Sequence, residues 1–135
     1  MSFNDAIIEE FRQNAGVVTK PYPDSTLVLV TLRGARSGRE TTLPLEYMED
    51  GGTLHVFGTA GGAPRDPRWV GNLRANPDVT VEYGSERFGA VAREVTGAER
   101  ERLWRELVAR KPRFAEYDQK TDRPFPVFAL DRSDG

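Results

Sequence analysis

The chain has 135 residues, 30% of them charged and 38% hydrophobic, with a formal net charge of −2 at neutral pH. That length suits one domain burying about two-thirds of its unfolded-chain surface, and the mild acidity argues against general nucleic-acid binding. The absence of cysteine excludes disulfides, thiol nucleophiles and thiolate metal sites, and it fits a reducing compartment.

In chain order, residues 5–14 read as a short helix with Ile7, Ile8 and Phe11 on one face and Glu9, Glu10 and Arg12 opposite. No apolar run approaches the roughly 20 residues of a membrane span, and residues 1–16 lack the basic start and apolar middle of a signal peptide. The expected location is therefore cytoplasmic. Residues 1–24 read as helix and lead-in, and 25–131 as the body of a single domain spanning 1–135. The run STLVLVTL (25–32) is almost continuously apolar, the mark of a strand buried on both faces. TTLPLEYM (41–48) and TLHVFGT (53–59) flank Glu49-Asp50-Gly51-Gly52, a hairpin signal.

The stretch GTAGGAPRDPRWVGNLRANP (58–77) then crosses paired glycines and enters a helix. Asp66 suits the N-cap, Pro67 the first helical position, and Pro77 a stop. Two further strands, DVTVEY and ERFGAVAREV, flank Gly84-Ser85. Thr96-x-x-Glu99 reads as a capping box opening a helix to Ala109, with Leu103, Trp104, Leu107 and Val108 on its apolar side. Pro112 opens a second helical piece to about Lys120, and PFPVFAL (124–130) is a final strand whose prolines favour an edge or a strand start. Six short strands joined mostly by hairpins predict a closed or partly closed antiparallel barrel with flanking helices, a mainly β fold of the α+β kind.

Catalytic groups are scarce. His55 is the only histidine and reads as a half-exposed strand residue, and there is no nucleophilic triad, metal-ligand cluster or phosphate-binding P-loop. Chemistry is therefore expected from a bound cofactor that the protein positions. Two loops qualify. In RGARSGRETT, Gly34 and Gly38 allow tight turns while Arg36, Ser37 and Arg39 offer donors to an anion. A solvated arginine turn explains that loop equally well. In the second loop, Gly61, Gly62, Ala63 and Pro64 allow close approach to backbone ahead of a helix N-terminus. Trp69 and Asn72 share a face of that helix, and a buried amide must find partners.

These motifs together, G-x-R-S-G at 34–38, Gly-Gly-Ala-Pro, Pro-x-Trp-x-x-Asn-Leu-x-Ala-Asn-Pro and the closing Thr-Asp-Arg, resemble the deazaflavin-dependent nitroreductase family. The resemblance runs from about Leu27 to Leu130. It implies a split β-barrel of the FMN-binding, pyridoxamine-phosphate-oxidase-like type, with coenzyme F-420, an 8-hydroxy-5-deazaflavin, as cofactor. It also implies that Arg36, Ser37, Gly38 and Arg39 hold the phosphate end, and that Thr42 and Pro44 line the path to the ring. Thr59, Ala60, Gly61, Gly62 and Ala63 would border the ring, and Trp69 and Asn72 would close the pocket. Ala35, Thr41 and Ala60 stand where many members are basic, with Arg33 and Arg39 as candidate substitutes.

The implied reaction is hydride transfer from reduced cofactor to a small organic acceptor: a quinone, an activated alkene or a nitro-aromatic. Tyr117, in the stretch that carries Lys111 and Phe114, or solvent would supply the proton. An FMN-dependent reductase and a non-catalytic carrier of cofactor or apolar ligand stand as alternatives. No metal is expected. A quinone acceptor would allow peripheral membrane contact, and both monomer and homodimer remain open.

Overall fold

The computed structural model describes residues 3–19 and 25–133. Helix α1 (Phe3–Gln13) is followed by strands β1 (Leu27–Arg33), β2 (Glu40–Asp50) and β3 (Thr53–Phe57). A 3-10 turn (Ala60–Gly62) leads to α2 (Arg68–Ala75), then β4 (Asp78–Tyr83) and β5 (Glu86–Val95). The chain continues through α3 (Gly97–Arg110), a second 3-10 turn (Pro112–Phe114), the single-turn helix α4 (Ala115–Asp118) and β6 (Val127–Arg132). The strands close in the order β1-β2-β3-β6-β5-β4, every neighbouring pair antiparallel. This is the expected split barrel.

Alternation along β1 explains its continuous apolar run. Val28, Val30 and Leu32 point into the barrel with Val56, Val81 and Phe128. Leu27 and Leu29 point outward and are covered by Ile7 and Phe11 of α1. Each such side chain contributes about 1.5–3 kcal/mol on burial. On another outer face, Leu103, Trp104 and Leu107 of α3 cover Phe57, Phe125 and Val127. The prolines of the last run precede β6, which starts at Val127 and pairs on both sides, so they mark a strand start and not an edge.

Three local expectations give way to tertiary contacts. Helix α2 begins one residue later than expected, with Pro67 at the cap, and makes no side-chain cap bond because Asp66 is drawn to Arg123. The capping box does not form. Thr96 makes no side-chain cap bond, and Glu99 turns to Arg102, which also holds Asp50. His55 is buried, since its cross-strand neighbours Met48 and Ala129 belong to the face covered by α3.

The most consequential feature is a mismatch of strand lengths. β2 has 11 residues and β3 has 5. Residues 40–46 of β2 pair with β1, but β3 meets β2 only from Tyr47 to Asp50. The upper half of β2 therefore has one strand neighbour among the described residues, and Thr42 to Tyr47 are all half-buried. Pro44, which has no N–H to give, sits in that half.

Candidate functional site

A trough runs along this uncovered edge of β2. Its larger end, about 820 Å³, is walled by Thr41 and Leu43 of β2, Arg36 and Ser37 of the first loop, and Trp69 and Asn72 of α2. Its smaller end, about 340 Å³, is walled by Pro44, Leu45, Thr59, Gly61 and Tyr117, with Ala60 at the rim. Trp69 borders both ends and packs on Phe128 inside the barrel, ring centroids 6.0 Å apart. The indole is thus both core and partition.

The first loop is built by its own main chain and fastened by α2. Gly34 N–H donates to Arg39 O at 2.9 Å and Gly38 N–H to Gly34 O at 3.0 Å. Arg33 Nη1 donates to Gly38 O at 2.9 Å, so this arginine helps to shape the loop. Asn72 Oδ1 accepts from Ala35 N–H at 3.0 Å, and Asn76 Nδ2 makes longer contacts with Arg33 O and Gly34 O. Asn72 is half-buried, and its amide oxygen finds its partner in the loop.

The electrostatics of the two ends differ. Arg12, Arg74, Arg93, Arg102 and Arg123 each hold a carboxylate. Arg36 and Arg68 on the larger end, and Arg39 beside it, make no ion pair with any described residue. The first turn of α2, whose Arg68 and Trp69 line that end, makes no side-chain cap bond. At the smaller end, Glu46 is held by Lys111 at 2.9 Å and by Arg113, whose guanidinium also lies over the Phe114 ring. Aromatic contacts fix Tyr117, edge-on to Phe114 with centroids 5.3 Å apart, and Asp118 anchors α4 by accepting from Trp104 Nε1 at 2.7 Å.

The glycine loop shows two kinds of clearance. Gly61 has φ +65, and a Cβ there would meet nothing within 4 Å. Gly62 has φ +85, and its Cβ would lie 3.0 Å from Lys120 Cδ and 3.2 Å from Tyr117 Cα. What comes close to Gly62 is the chain's own α4 segment. Thr59 is right-handed (φ −80) and Ala60 left-handed (φ 47), a succession that gathers main-chain N–H groups into a concavity for a negative or carbonyl oxygen.

The trough brings together Arg36, Ser37, Trp69 and Asn72 at one end and Pro44, Thr59, Ala60, Gly61 and Tyr117 at the other. Gly38, Arg39, Gly62 and Ala63 line neither end. Thr42 lies on the outer face, its Oγ1 2.7 Å from Thr31 Oγ1, and Thr41 and Leu43 take its place on the wall. His55 lines neither end; burial holds it below its ordinary value, and its Nδ1 has no hydrogen-bond partner. Sequence reasoning missed Glu46, Arg113, Asn76 and Arg123. Arg123 carried a signal, as the last residue of the Thr-Asp-Arg motif, but no chemistry was attached to it.

A six-stranded split barrel thus opens onto a trough with arginines free of ion pairs to any described residue at one end and the glycine-loop main chain at the other. A model of the F420H(2)-dependent quinone reductase family matches residues 6–132, and the chain belongs to that family. It is an oxidoreductase that uses coenzyme F-420. A Mycobacterium tuberculosis protein bearing the family's name is 34% identical over 135 residues, covering 98% of this chain and 89% of its own. A solved F420-H2 dependent reductase is 40% identical, with TM-score 0.71, covering 78% of this chain and 93% of its own. A second solved structure, described as a domain-swapped dimer, is 35% identical with TM-score 0.72, covering 94% of this chain and 98% of its own. No helix among the described residues is long and apolar enough to cross a membrane.

Proposed function

We propose that this chain reduces a quinone-type acceptor, with coenzyme F-420 lying along the trough, its phosphate and tail at the larger end and its ring at the smaller. The observation that carries the reading is the pairing of an end with unpaired arginines to an amide-lined, aromatic end across Trp69. Arg36, Ser37 and the uncapped first turn of α2 hold the phosphate, each charge-assisted bond contributing about 1.5–3 kcal/mol. Gly38 shapes that loop, and Arg39 attracts the anionic tail. Thr42 acts through β1–β2 pairing, and Pro44 borders the ring.

The N–H groups after Thr59 and Ala60 receive a ring carbonyl, and the open space at Gly61 admits the ring plane, with Gly62 and Ala63 supporting from behind. Asn72 keeps the first loop facing the trough. Reduced F-420 supplies a hydride. The acceptor stacks between the ring and the Phe114–Tyr117 side, where Tyr117 donates a hydrogen bond to the oxygen that gains charge; one proton from it or from solvent completes reduction to the hydroquinone. Phe57, Leu45 and Trp69 exclude water from that end.

Fluorescence titration with F-420 and with FMN, followed by oxidation of reduced F-420 in the presence of quinones, enones and nitro-aromatics, tests the proposal. Tight F-420 binding, weak FMN binding and turnover with quinones are expected; absence of F-420 binding, or equal affinity for FMN, sinks it. The proposal extends to one domain carrying the whole site and to a homodimer, supported by the swapped-dimer neighbour and tested by sedimentation. It also places the chain in the cytoplasm with peripheral contact to lipid, supported by exposed Phe3 and Val17 near α1 and tested by vesicle flotation.

A further inference from the structure

Arg123 lies in the segment before β6, its side chain only 12% exposed. Its guanidinium is committed almost entirely to the glycine loop. Nε donates to Ala63 O at 3.0 Å, Nη1 to Gly58 O at 3.0 Å and to Asp66, and Nη2 to Thr59 O at 2.9 Å. One rigid fork thus grips both ends of residues 58–63 and the carboxylate beyond them. The fork itself is seated over the Phe125 ring, 4.7 Å from its centroid.

Segment 58–63 needs such a grip. Ala60, Gly61 and Gly62 are all left-handed, and a non-glycine residue there costs about 1–2 kcal/mol. Its internal main-chain bonds, Gly62 N–H to Thr59 O and Ala63 N–H to Ala60 O, tighten the turn without fixing which way it faces. Direction comes from outside. In a trans peptide the C=O of one residue and the N–H of the next point in opposite directions. With Thr59 O turned toward Arg123, the Ala60 N–H is turned away from it, on the side where Ala60 and Gly61 border the trough.

We infer that Arg123 is a positioning residue, which aims the main-chain N–H groups of the glycine loop into the ring end of the trough without touching cofactor itself. The inference rests on the proposed placement of the cofactor ring. Lysine cannot substitute, because one ammonium cannot span three carbonyls and a carboxylate in a plane.

Arg123 also borders a second cleft of about 340 Å³ on the far side of the loop, shared with Arg100 and Phe125. That cleft gives a free guanidinium ion a way in, and so a test that separates positioning from folding. Arg123→Ala, Arg123→Lys and the control Arg100→Ala are compared with the full native chain. Arg100 lines the same cleft and donates to Phe125 O, but touches no carbonyl of the loop.

Two readouts are taken: F-420 affinity, and amide exchange of residues 58–63 without cofactor. Expected are a rise in the F-420 Kd of about tenfold or more in both Arg123 variants, faster exchange confined to 58–63, and partial recovery of both in Arg123→Ala on adding guanidinium. Arg100→Ala and the native chain should gain nothing from it. Native affinity and native exchange in Arg123→Lys overturn the inference, and so does collapse of the whole barrel in both Arg123 variants, which would make the residue a support of the fold. If the native chain fails to bind F-420, the proposed function falls, while exchange in the cofactor-free chain still decides what Arg123 does to the loop.

Discussion

Gly61 and Gly62 are adjacent and both left-handed, yet their surroundings predict opposite consequences for the same substitution. Gly61→Ala adds a Cβ into open space, so its stability cost is the backbone term alone, about 1–2 kcal/mol. For a chain of this size that lowers Tm by roughly 3–8 °C. Gly62→Ala carries the same backbone term and adds contacts at 3.0, 3.1 and 3.2 Å with Lys120 Cδ, Lys120 Cβ and Tyr117 Cα. The lysine end can swing away, but the Tyr117 backbone must shift by a few tenths of an ångström, which adds about 1–3 kcal/mol as overpacking does. Cofactor affinity should run the other way. The open space at Gly61 is where the ring is proposed to lie, so Gly61→Ala should weaken F-420 binding by about tenfold or more, while folded Gly62→Ala loses less. Thermal unfolding monitored by circular dichroism and fluorescence titration on the same two proteins give both numbers. Native F-420 affinity in Gly61→Ala would refute the ring placement, and equal Tm losses would refute the packing role of Gly62.

Arg36→Ala should raise the F-420 Kd about ten- to a hundredfold with little change in Tm, since its side chain is exposed and makes no ion pair; an unchanged Kd returns the loop to a solvated turn. Burial holds His55 below its ordinary 6.5, so the unfolded chain binds more protons as pH falls through that value. Stability should therefore be full above about pH 6.5 and decline below it, and His55→Phe should flatten that decline in urea titrations between about pH 5 and 7; the lowered carboxylates Asp50, Glu94 and Glu99 act only at lower pH. Asp118→Ala leaves the buried Trp104 Nε1 without its acceptor and loosens the helix carrying Tyr117, costing about 1–3 kcal/mol. Steady-state kinetics should show a higher KM for the quinone with F-420 affinity retained, and a rise in the F-420 Kd alone would contradict that division of the trough.

Most of the fold was legible because period-2 patterning is a local signal. The β1 run, both hairpins and the apolar face of α3 all follow from side chains whose neighbours lie a few residues away. Local signals failed where a distant charge intervened. Asp66 has every qualification for an N-cap, but Arg123, far along the chain, offers its carboxylate a charge-assisted bond and takes it. Glu99 leaves its capping box for a nearer competitor, Arg102 one turn along the same helix, which the distant Asp50 also engages. The chemistry of the site divides similarly: Arg36, Ser37 and Gly61 were readable as loop residues, whereas Asn72, Asn76 and Arg123 act on segments that only the closed barrel brings beside them. Thr42 turns its hydroxyl to Thr31 on the neighbouring strand, a cross-strand contact that its own sequence neighbourhood does not reveal. Pro44 was the unread clue, because a proline inside a strand marks an edge without a hydrogen-bonding partner.

That edge explains why the barrel has a site at all. A closed barrel normally leaves no strand unpaired, and an exposed edge invites association with other chains. Here β3 stops after five residues, and the chain spends the next ten on the glycine loop and the approach to α2. The gap so opened along residues 40–46 of β2 is bordered by side chains. Trp69 fills its middle from the α2 side, Arg36 and Arg68 stand at one end, and the Thr59–Gly61 turn stands at the other. The residues that hold these walls in place, Asn72, Asn76 and Arg123, direct their polar groups at main-chain atoms and leave the trough itself free. Arginines that serve the fold are paired with carboxylates; those on the trough's anion end are not. A guanidinium without a carboxylate keeps its full positive charge for a ligand, so under the proposed placement Arg36 and Arg68 offer a long anion the edge of β2 that a fifth β2–β3 residue pair would otherwise have begun to cover.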